Sequence, residues 1–315
     1  MSAPIWITGA RGFVGRHLAA RASRDGLEVF GLGHGAWLAD EYGGWGLKGW
    51  INGDVGESNL DLLARNSGLP DAIFHCAGGS SVGASIHAPL EDFSRSVGST
   101  ARLLEWIRQR NPQCRFILLS SAAVYGGGHV EPIGETSEAS PYSPYGHHKM
   151  AAELLARSYH QSYGLAVGIV RLFSLYGEEL RKQLIWDACN RLKQRPLRLV
   201  LGGSGNEKRD FIHVADAVDF VWTVSRHLQA GPEKFILVNC GTGHSRTIRS
   251  VAEMLVNVWG LEARVDFSGG TRAGDPVELV ANVGLAQNLG LAPKLSFESG
   301  LEAYVRWFQR IKSAQ

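Results

Sequence analysis

The fold is decided by the stretch Ile5-Trp6-Ile7-Thr8-Gly9-Ala10-Arg11-Gly12-Phe13-Val14-Gly15. Its apolar beginning predicts a buried strand, and the amphipathic residues that follow, from 13 to 24, predict a helix. The first glycine permits a tight turn, the second lets a pyrophosphate approach the backbone, and the third allows close packing of the helix on the sheet. The helix N-terminus offers free N–H groups to phosphates. The spacing therefore predicts dinucleotide binding by Gly9, Arg11, Gly12, Phe13, Val14 and Gly15.

Short apolar segments alternate with helical patterns through the first half of the chain. Further strands are predicted at 27–32, 72–75, 115–120, 165–171 and 235–239. Strands that alternate with helices favour a parallel sheet covered on both faces. We therefore predict an α/β fold, a doubly wound parallel sheet of the Rossmann type, with a smaller mixed α/β substrate lobe.

Two segments, residues 174–208 and roughly 241–300, break this alternation. Because they are not contiguous, a second lobe has to be assembled from separate parts of the chain. We predict a dinucleotide-binding domain from residues 1–173 plus 209–240. The substrate lobe is then discontinuous and consists of residues 174–208 plus 241–315.

The composition argues against several kinds of partner. The 32 basic and 30 acidic residues give a net charge of +2, which does not indicate binding to nucleic acid or to a membrane surface. No stretch reaches the ~18 apolar residues of a membrane span. The 4 cysteines are widely separated, which argues against a zinc site or a disulfide framework. We expect a cytoplasmic protein without a metal site.

A phenol and an ammonium stand four residues apart in Tyr145-Gly-His-His-Lys149, a segment with a helical pattern. Residues at i and i+4 lie on one helical face, so the two side chains can share a site. A free phenol has a pKa of about 10 and is a poor acid or base at neutral pH. We expect the Lys149 ammonium to stabilise the phenolate and to lower the pKa of Tyr145. For His147 and His148, which lie at other helical angles, we expect solvent or interface positions.

A serine pair closes the strand at 115–120, about two dozen residues before Tyr145. Ser121 is therefore expected at the carboxyl edge of the sheet, where ligands bind in open α/β folds. Its hydroxyl can donate to a carbonyl or alkoxide oxygen beside Tyr145. We predict Ser121, Tyr145 and Lys149 as the catalytic residues, with Lys149 also holding the nicotinamide ribose.

The end of the second strand bears on which dinucleotide is bound. A carboxylate there would bind the adenosine ribose hydroxyls of NAD, but this chain has Gly31-Leu-Gly-His34. Arg11 in the glycine loop, or His34 after the strand, could face a 2′-phosphate. We therefore expect NADP in preference to NAD.

Two later loops add candidate cofactor contacts. Asp54, followed by Val55, is either a contact to the adenine or a cap of its own loop. The segment His75-Cys-Ala-Gly-Gly79 ends a strand with small residues, which let a cofactor lie close to the backbone at Ala77 and Gly78. Residues 33–50 carry three tryptophans and several glycines. They form either a loop at the edge of the cofactor or, as we favour, an irregular connection packed by aromatic side chains.

Together these motifs resemble the extended short-chain dehydrogenase/reductase family, in particular its NAD-dependent epimerase/dehydratase type, which modifies nucleotide-linked sugars. The resemblance covers nearly the whole chain and includes residues 171–177, 205–216, 239–243 and 272–276. It implies a homodimer and a nucleoside-diphosphate sugar as substrate, with Ser80, Ser174, Arg209 and Arg272 as substrate contacts. A guanidinium group suits a bidentate phosphate contact at Arg209 and Arg272, and a surface ion pair with the neighbouring aspartate is the alternative.

The resemblance further implies hydride transfer at C4 of the hexose, and two reactions share this apparatus. A 4-ketoreductase would use and exchange NADPH, whereas a 4-epimerase would retain NAD. We expect the reductase, because a ribose carboxylate is missing. Ala122-Ala123 stand where dehydratases have Asp-Glu, which argues against dehydration, and Ser174 stands where the family has Asn. A non-catalytic dinucleotide-binding protein would have no reason to retain the three predicted catalytic residues.

Overall fold

A computed structural model describes residues 3–129, 132–195, 197–270 and 276–313. Its strands are β1 (Ile5–Thr8), β2 (Val29–Gly33), β3 (Leu47–Asn52), β4 (Ala72–His75), β5 (Arg115–Ser121), β6 (Val167–Leu172), β7 (Ser174–Tyr176), β8 (Arg198–Leu201), β9 (Lys208–His213), β10 (Phe235–Cys240), β11 (Ser245–Thr247), β12 (Arg264–Phe267) and β13 (Glu278–Leu279). Its helices are α1 (Phe13–Arg24), α2 (Ala39–Gly44), α3 (Glu57–Ser67), α4 (Val82–His87), α5 (Pro89–Phe93), α6 (Ser99–Arg110), α7 (Pro144–Tyr163), α8 (Gln183–Leu192), α9 (Val214–Ala230), α10 (Ile248–Trp259), α11 (Gly284–Asn288) and α12 (Phe297–Ser313).

The first compact unit comprises residues 1–126, 138–171 and 218–238. Its centre is a seven-stranded sheet in the order β10-β6-β5-β4-β1-β2-β3. The pairs β1–β2, β1–β4, β2–β3 and β4–β5 are all parallel. The chain therefore starts in the middle of the sheet and winds outward in both directions, which confirms the predicted doubly wound fold.

The core of this unit explains the apolar sequence of its strands. β1 and β4 are buried at every position, as expected for strands covered on both faces. The side chains of Trp6, Ile73 and Phe116 pack with Leu103 and Ile107 of α6 in one hydrophobic cluster. The packing holds the carboxyl ends of β1, β4 and β5 next to one another, where the predicted site residues lie.

The second compact unit comprises residues 127–137, 172–217 and 239–315. Its central strand is β9, which pairs antiparallel with β11 and parallel with β7 and β13. A separate pair, β8 with β12, is parallel. The unit is therefore a small mixed α/β assembly built from discontinuous segments, and residues 127–137 and 209–217 belong to it rather than to the first unit.

Residues 33–50 are more regular than the sequence suggested. They contain the short helix α2 and most of strand β3, which forms the edge of the large sheet. Trp50 of β3 packs edge-on against Trp37, with ring centroids 5.3 Å apart. The aromatic packing that we favoured is present, but it surrounds a regular strand. In this strand Gly49 and Trp50 are both partly buried, so buried and exposed residues do not alternate clearly. In the described part of the chain, no helix combines the length and apolar character needed to cross a membrane.

Candidate active site

Tyr145 is placed by the first turn of α7. The helix begins at Pro144, and the hydroxyl of Ser143 caps it by accepting from the backbone N–H of Gly146 at 3.2 Å. The backbone N–H of Tyr145 donates to the buried hydroxyl of Ser85 in α4 at 3.0 Å. Two side chains thus satisfy N–H groups of the first turn and fix the direction in which the phenol leaves the helix.

Gly146 brings Tyr145 close to Ser121. A Cβ at position 146 would lie 2.6 Å from the carbonyl oxygen of Ala123, so only glycine lets this turn of α7 rest on the residues that follow β5. Ser121 is the last residue of β5, and its hydroxyl accepts from the N–H of Ala123 at 3.2 Å. A hydrogen bond joins the side chains of Ser121 and Tyr145. The structure therefore brings together two of the three residues predicted to be catalytic.

Lys149 lies one turn further along the same face of α7. Its buried side chain donates to the carbonyl oxygen of Leu119 at 2.9 Å, and Nζ lies 5.8 Å from the centre of the Tyr145 ring. A Cβ on Gly78 would lie 3.5 Å from Nζ, so the ammonium also faces the small-residue loop after β4. The ammonium is thus held between the Tyr145 phenol and the loop predicted to contact the cofactor.

The electrostatics of the pair differ from the sequence-based expectation. Burial raises the pKa of Tyr145, and its hydrogen bond with Ser121 only partly opposes this effect. Burial also lowers the pKa of Lys149. We expected the ammonium to lower the pKa of Tyr145, but burial is the largest effect on this phenol and it raises the pKa.

A buried ion pair anchors α7 behind these residues. Arg171 of β6 donates through Nη2 to Glu153 of α7 at 2.7 Å and through Nη1 to the Tyr125 hydroxyl at 2.8 Å. The hydroxyl of Ser120 in β5 donates to the same carboxylate at 2.5 Å. Glu153 follows Lys149 by one helical turn, so the network ties α7 to two strands of the sheet, β5 and β6. Sequence spacing alone did not single out this network.

The glycine loop has the form that a dinucleotide requires. Gly9 has φ +68°, and a Cβ there would lie 2.7 Å from the backbone N of Ala77. Helix α1 starts after Gly12 without a side-chain cap, so the N–H groups of Phe13 and Val14 are available to an anion. Gly15 is buried where the helix meets the loop. These residues fit the diphosphate of NAD or NADP, which would supply a nicotinamide that accepts or donates hydride.

The residues predicted to select the dinucleotide lie at the end of β2. His34 is exposed directly after the strand, and the Arg11 guanidinium lies against Gly35. Beyond β3, Asp54 is exposed, and its carboxylate accepts a hydrogen bond from the side-chain amide of Asn59 at 3.1 Å. This contact corresponds to the second interpretation given above, in which Asp54 caps its own loop. Val55 is buried. The geometry therefore places these groups at the carboxyl edge of the sheet.

The loop after β4 holds the remaining predicted residues of this unit. Ala77 and Gly78 are partly buried, and the N–H of Ala77 donates to the Thr8 hydroxyl at 3.3 Å. Ser80 is exposed. His75, immediately before them, is fully enclosed between threonine hydroxyls, and burial lowers its pKa to about 3. His75 is therefore neutral at physiological pH and supports the loop through hydrogen bonds.

The second unit contains an open cavity of about 160 Å³. Ser174 and Arg209 line it, together with Lys182, Gln183 and Tyr304. The backbone of Gln183 has φ +71°, an uncommon conformation for a residue with a side chain and one that is often found at binding sites. Two of the predicted substrate contacts therefore share one cavity. Arg272 lies outside the described residues.

The chain matches known proteins along most of its length. A family model, the NAD dependent epimerase/dehydratase family, matches residues 5–241. UDP-glucose 4-epimerase of Azospirillum brasilense is 30% identical over 284 residues, which cover 81% of this chain and 80% of that protein. The solved structure of MoeE5 in complex with UDP-glucuronic acid and NAD is 28% identical, with a TM-score of 0.87, and the match covers 98% of this chain and 100% of that one. MoeE5 in complex with UDP-glucose and NAD is 29% identical, with a TM-score of 0.86.

A doubly wound sheet with a glycine loop and a Ser–Tyr–Lys arrangement defines the class, a dinucleotide-dependent enzyme of the short-chain dehydrogenase/reductase type. The chain belongs to the NAD-dependent epimerase/dehydratase family within that class. The predicted family is thereby confirmed. The relatives favour the alternative that we gave second, the 4-epimerase, and offer no support for the reductase or for a preference for NADP.

Proposed function

We propose that this protein is a 4-epimerase of a UDP-linked hexose or hexuronic acid that retains NAD. The observation that carries the proposal is a Ser121–Tyr145–Lys149 arrangement in a chain similar to a UDP-glucose 4-epimerase and to MoeE5, which was solved with UDP-sugars and NAD. Ala122 and Ala123, at the places where dehydratases need an acid and a base, support epimerisation over dehydration. The homodimer and the cytoplasmic location stay predictions.

In this reaction the residues of the chain would transfer the proton of the C4 hydroxyl and stabilise the charge that develops on its oxygen. The Tyr145 phenolate accepts the proton of the C4 hydroxyl as hydride leaves C4, and it returns the proton when hydride comes back to the other face. Ser121 donates a hydrogen bond to the same oxygen, which shares the charge that develops there. Lys149 stabilises the phenolate. Because the proton taken up is the proton given back, a buried tyrosine suits an epimerase without a path to solvent.

An assay without added cofactor tests the proposal. Purified protein is incubated with UDP-glucose, UDP-galactose or UDP-glucuronic acid carrying deuterium at C4, and the products are followed by NMR. We expect the C4 epimer to form with the deuterium retained, and NAD to be released when the protein is denatured. The opposite result would be absence of the epimer together with oxidation of added NADPH by a 4-keto nucleotide sugar, which would restore the reductase.

We propose that the cavity of the second unit binds the nucleoside diphosphate through Arg209. Arg209→Ala is expected to weaken UDP binding about ten- to hundredfold, since a charge-assisted hydrogen bond contributes roughly 1.5–3 kcal/mol. Lys208→Ala is the matched control, because successive side chains of a strand point to opposite faces and Lys208 forms an ion pair with Glu278. Calorimetry with UDP measures both variants, and NAD affinity reports on folding. Equal UDP affinity in Arg209→Ala and wild type would remove Arg209 from the site.

A further inference from the structure

A second ionisable pair lies beside the catalytic tyrosine and has no part in the steps above. His148 Nδ1 lies 2.6 Å from Asp92 Oδ2, and the side chains are 16% and 6% exposed. We expected a solvent or interface position for His148, and its side chain is partly buried against Asp92. His147 is exposed, as expected. The two histidines differ because only His148 is on the side of α7 that packs against α5.

The pair connects three elements that surround the site. Asp92 belongs to α5, and its carboxylate packs against the backbone of Gly79 in the loop after β4. His148 belongs to α7, one turn from Tyr145, and its ring packs edge-on against Phe93 at 5.5 Å. A carboxylate that is 6% exposed is costly unless it is paired. His148 is therefore the hydrogen-bond partner of a carboxylate that lies in the wall of the candidate site.

The other charged groups on these elements belong to the proposed site, lie on the surface or, like Glu153, are buried in an ion pair of their own. Lys149 and Tyr145 share α7 with His148. On the elements that pack against α7, Glu91 and Arg95 form an exposed ion pair with each other, and His87 at the end of α4 is exposed. Asp92 acts on both catalytic groups, because its negative charge raises the pKa of Tyr145 after the larger effect of burial and also opposes the loss of the proton from Lys149. Cys76 and Glu153 act on Lys149 in the same sense as Asp92.

We propose that Asp92 and His148 form a positioning ion pair, in which the His148 imidazolium neutralises Asp92 and so sets the charge felt by Tyr145. The inference rests on the proposed role of Tyr145 as the acid/base, but not on the identity of the sugar. Neither side chain is assigned a contact with substrate or cofactor. Their role is to hold the loop at Gly79 against α7 and to keep an unpaired negative charge away from the phenolate.

The two halves of such a pair have opposite effects on the phenol. Asp92→Asn removes the negative charge and should make the phenolate easier to form. His148→Gln keeps a hydrogen-bond donor to Asp92 but removes the positive charge, so the phenolate should become harder to form. A unit charge several ångströms away in a protein shifts a pKa by about 0.5–1 unit or more. A purely structural pair would give changes of one sign, because either substitution would loosen the same contact.

The experiment follows the ionisation of Tyr145 directly. The purified protein, with whatever dinucleotide it retains, is labelled with [4-¹³C]tyrosine, and the Tyr145 signal is identified among the 8 tyrosines by its absence in Tyr145→Phe. We expect the midpoint to fall by about 0.5–1 pH unit in Asp92→Asn and to rise by a similar amount in His148→Gln. The acid limb of the pH profile of kcat/KM should likewise move to lower pH in Asp92→Asn and to higher pH in His148→Gln.

Controls separate this role from a general loss of packing. Glu91→Gln on α5 and His147→Gln on α7 remove an exposed charge or imidazole beside each partner and should leave the midpoint unchanged. His148→Lys restores a cation and should return the midpoint of the Tyr145 titration toward the wild-type value. This variant tests the proposal even if Asp92→Asn does not fold. Shifts of the same sign in Asp92→Asn and His148→Gln, or a His148→Lys midpoint equal to that of His148→Gln, would overturn the proposal. Full activity of Tyr145→Phe would instead overturn the proposed function.

Discussion

Tyr145→Phe is expected to lower turnover by at least about two orders of magnitude while leaving dinucleotide binding intact. The phenol is the group that would take and return the proton of the C4 hydroxyl, and phenylalanine keeps the ring but not the oxygen. The fold should persist, since the hydroxyl contributes to the site through its hydrogen bond with Ser121 rather than to the core. Turnover is measured with the substrate that the epimerase assay identifies.

The matched control for this substitution is Tyr142→Phe. Tyr142 lies three residues before Tyr145, is 56% exposed and precedes α7. Its hydroxyl should be dispensable, so turnover should stay within about twofold of wild type. A folded Tyr145→Phe variant with wild-type turnover would exclude Tyr145 as the acid/base and would leave Ser121 and Lys149 without a proton donor to support.

Glu153→Gln is expected to lower the free energy of unfolding by about 3–5 kcal/mol. The substitution leaves the Arg171 guanidinium, 8% exposed, without its anionic partner in the interior of the sheet. Breaking one half of a buried ion pair costs more than the pair contributed, because the remaining charge stays dehydrated. The change is measured from the midpoint of urea denaturation at constant slope.

Glu105→Gln provides the comparison for the buried pair. Glu105 forms an ion pair with Arg108 on α6, and both side chains are more than one third exposed. Surface pairs of this kind contribute little because water and salt screen them, so a much smaller loss is expected. Equal losses in the two variants would show that the Glu153–Arg171 pair does not anchor α7, and the assignment of that network would be wrong.

Local patterns were sufficient for the parts of this protein that depend on neighbours in sequence. The strand, glycine turn and helix of residues 5–24 could be predicted because a strand, a positive-φ glycine and an amphipathic helix each follow from a few adjacent residues. Tyr145 and Lys149 could be paired because helical periodicity alone places residues i and i+4 on one face. Strand β3 was harder to recognise, since its Lys-Gly-Trp sequence lacks clear alternation and it is held by pairing with β2.

The sequence by itself determined the doubly wound sheet, the family and the catalytic candidates, because each of these depends on a short motif or a period. Only the tertiary structure decided which charges lie together. Asp92 and His148 are 56 residues apart, and Ser85 and Tyr145 are 60 apart, so no spacing rule connects them. The tertiary structure also decided the direction of the pKa shifts of Tyr145 and Lys149, because hydration is lost through the packing of many distant segments around one site.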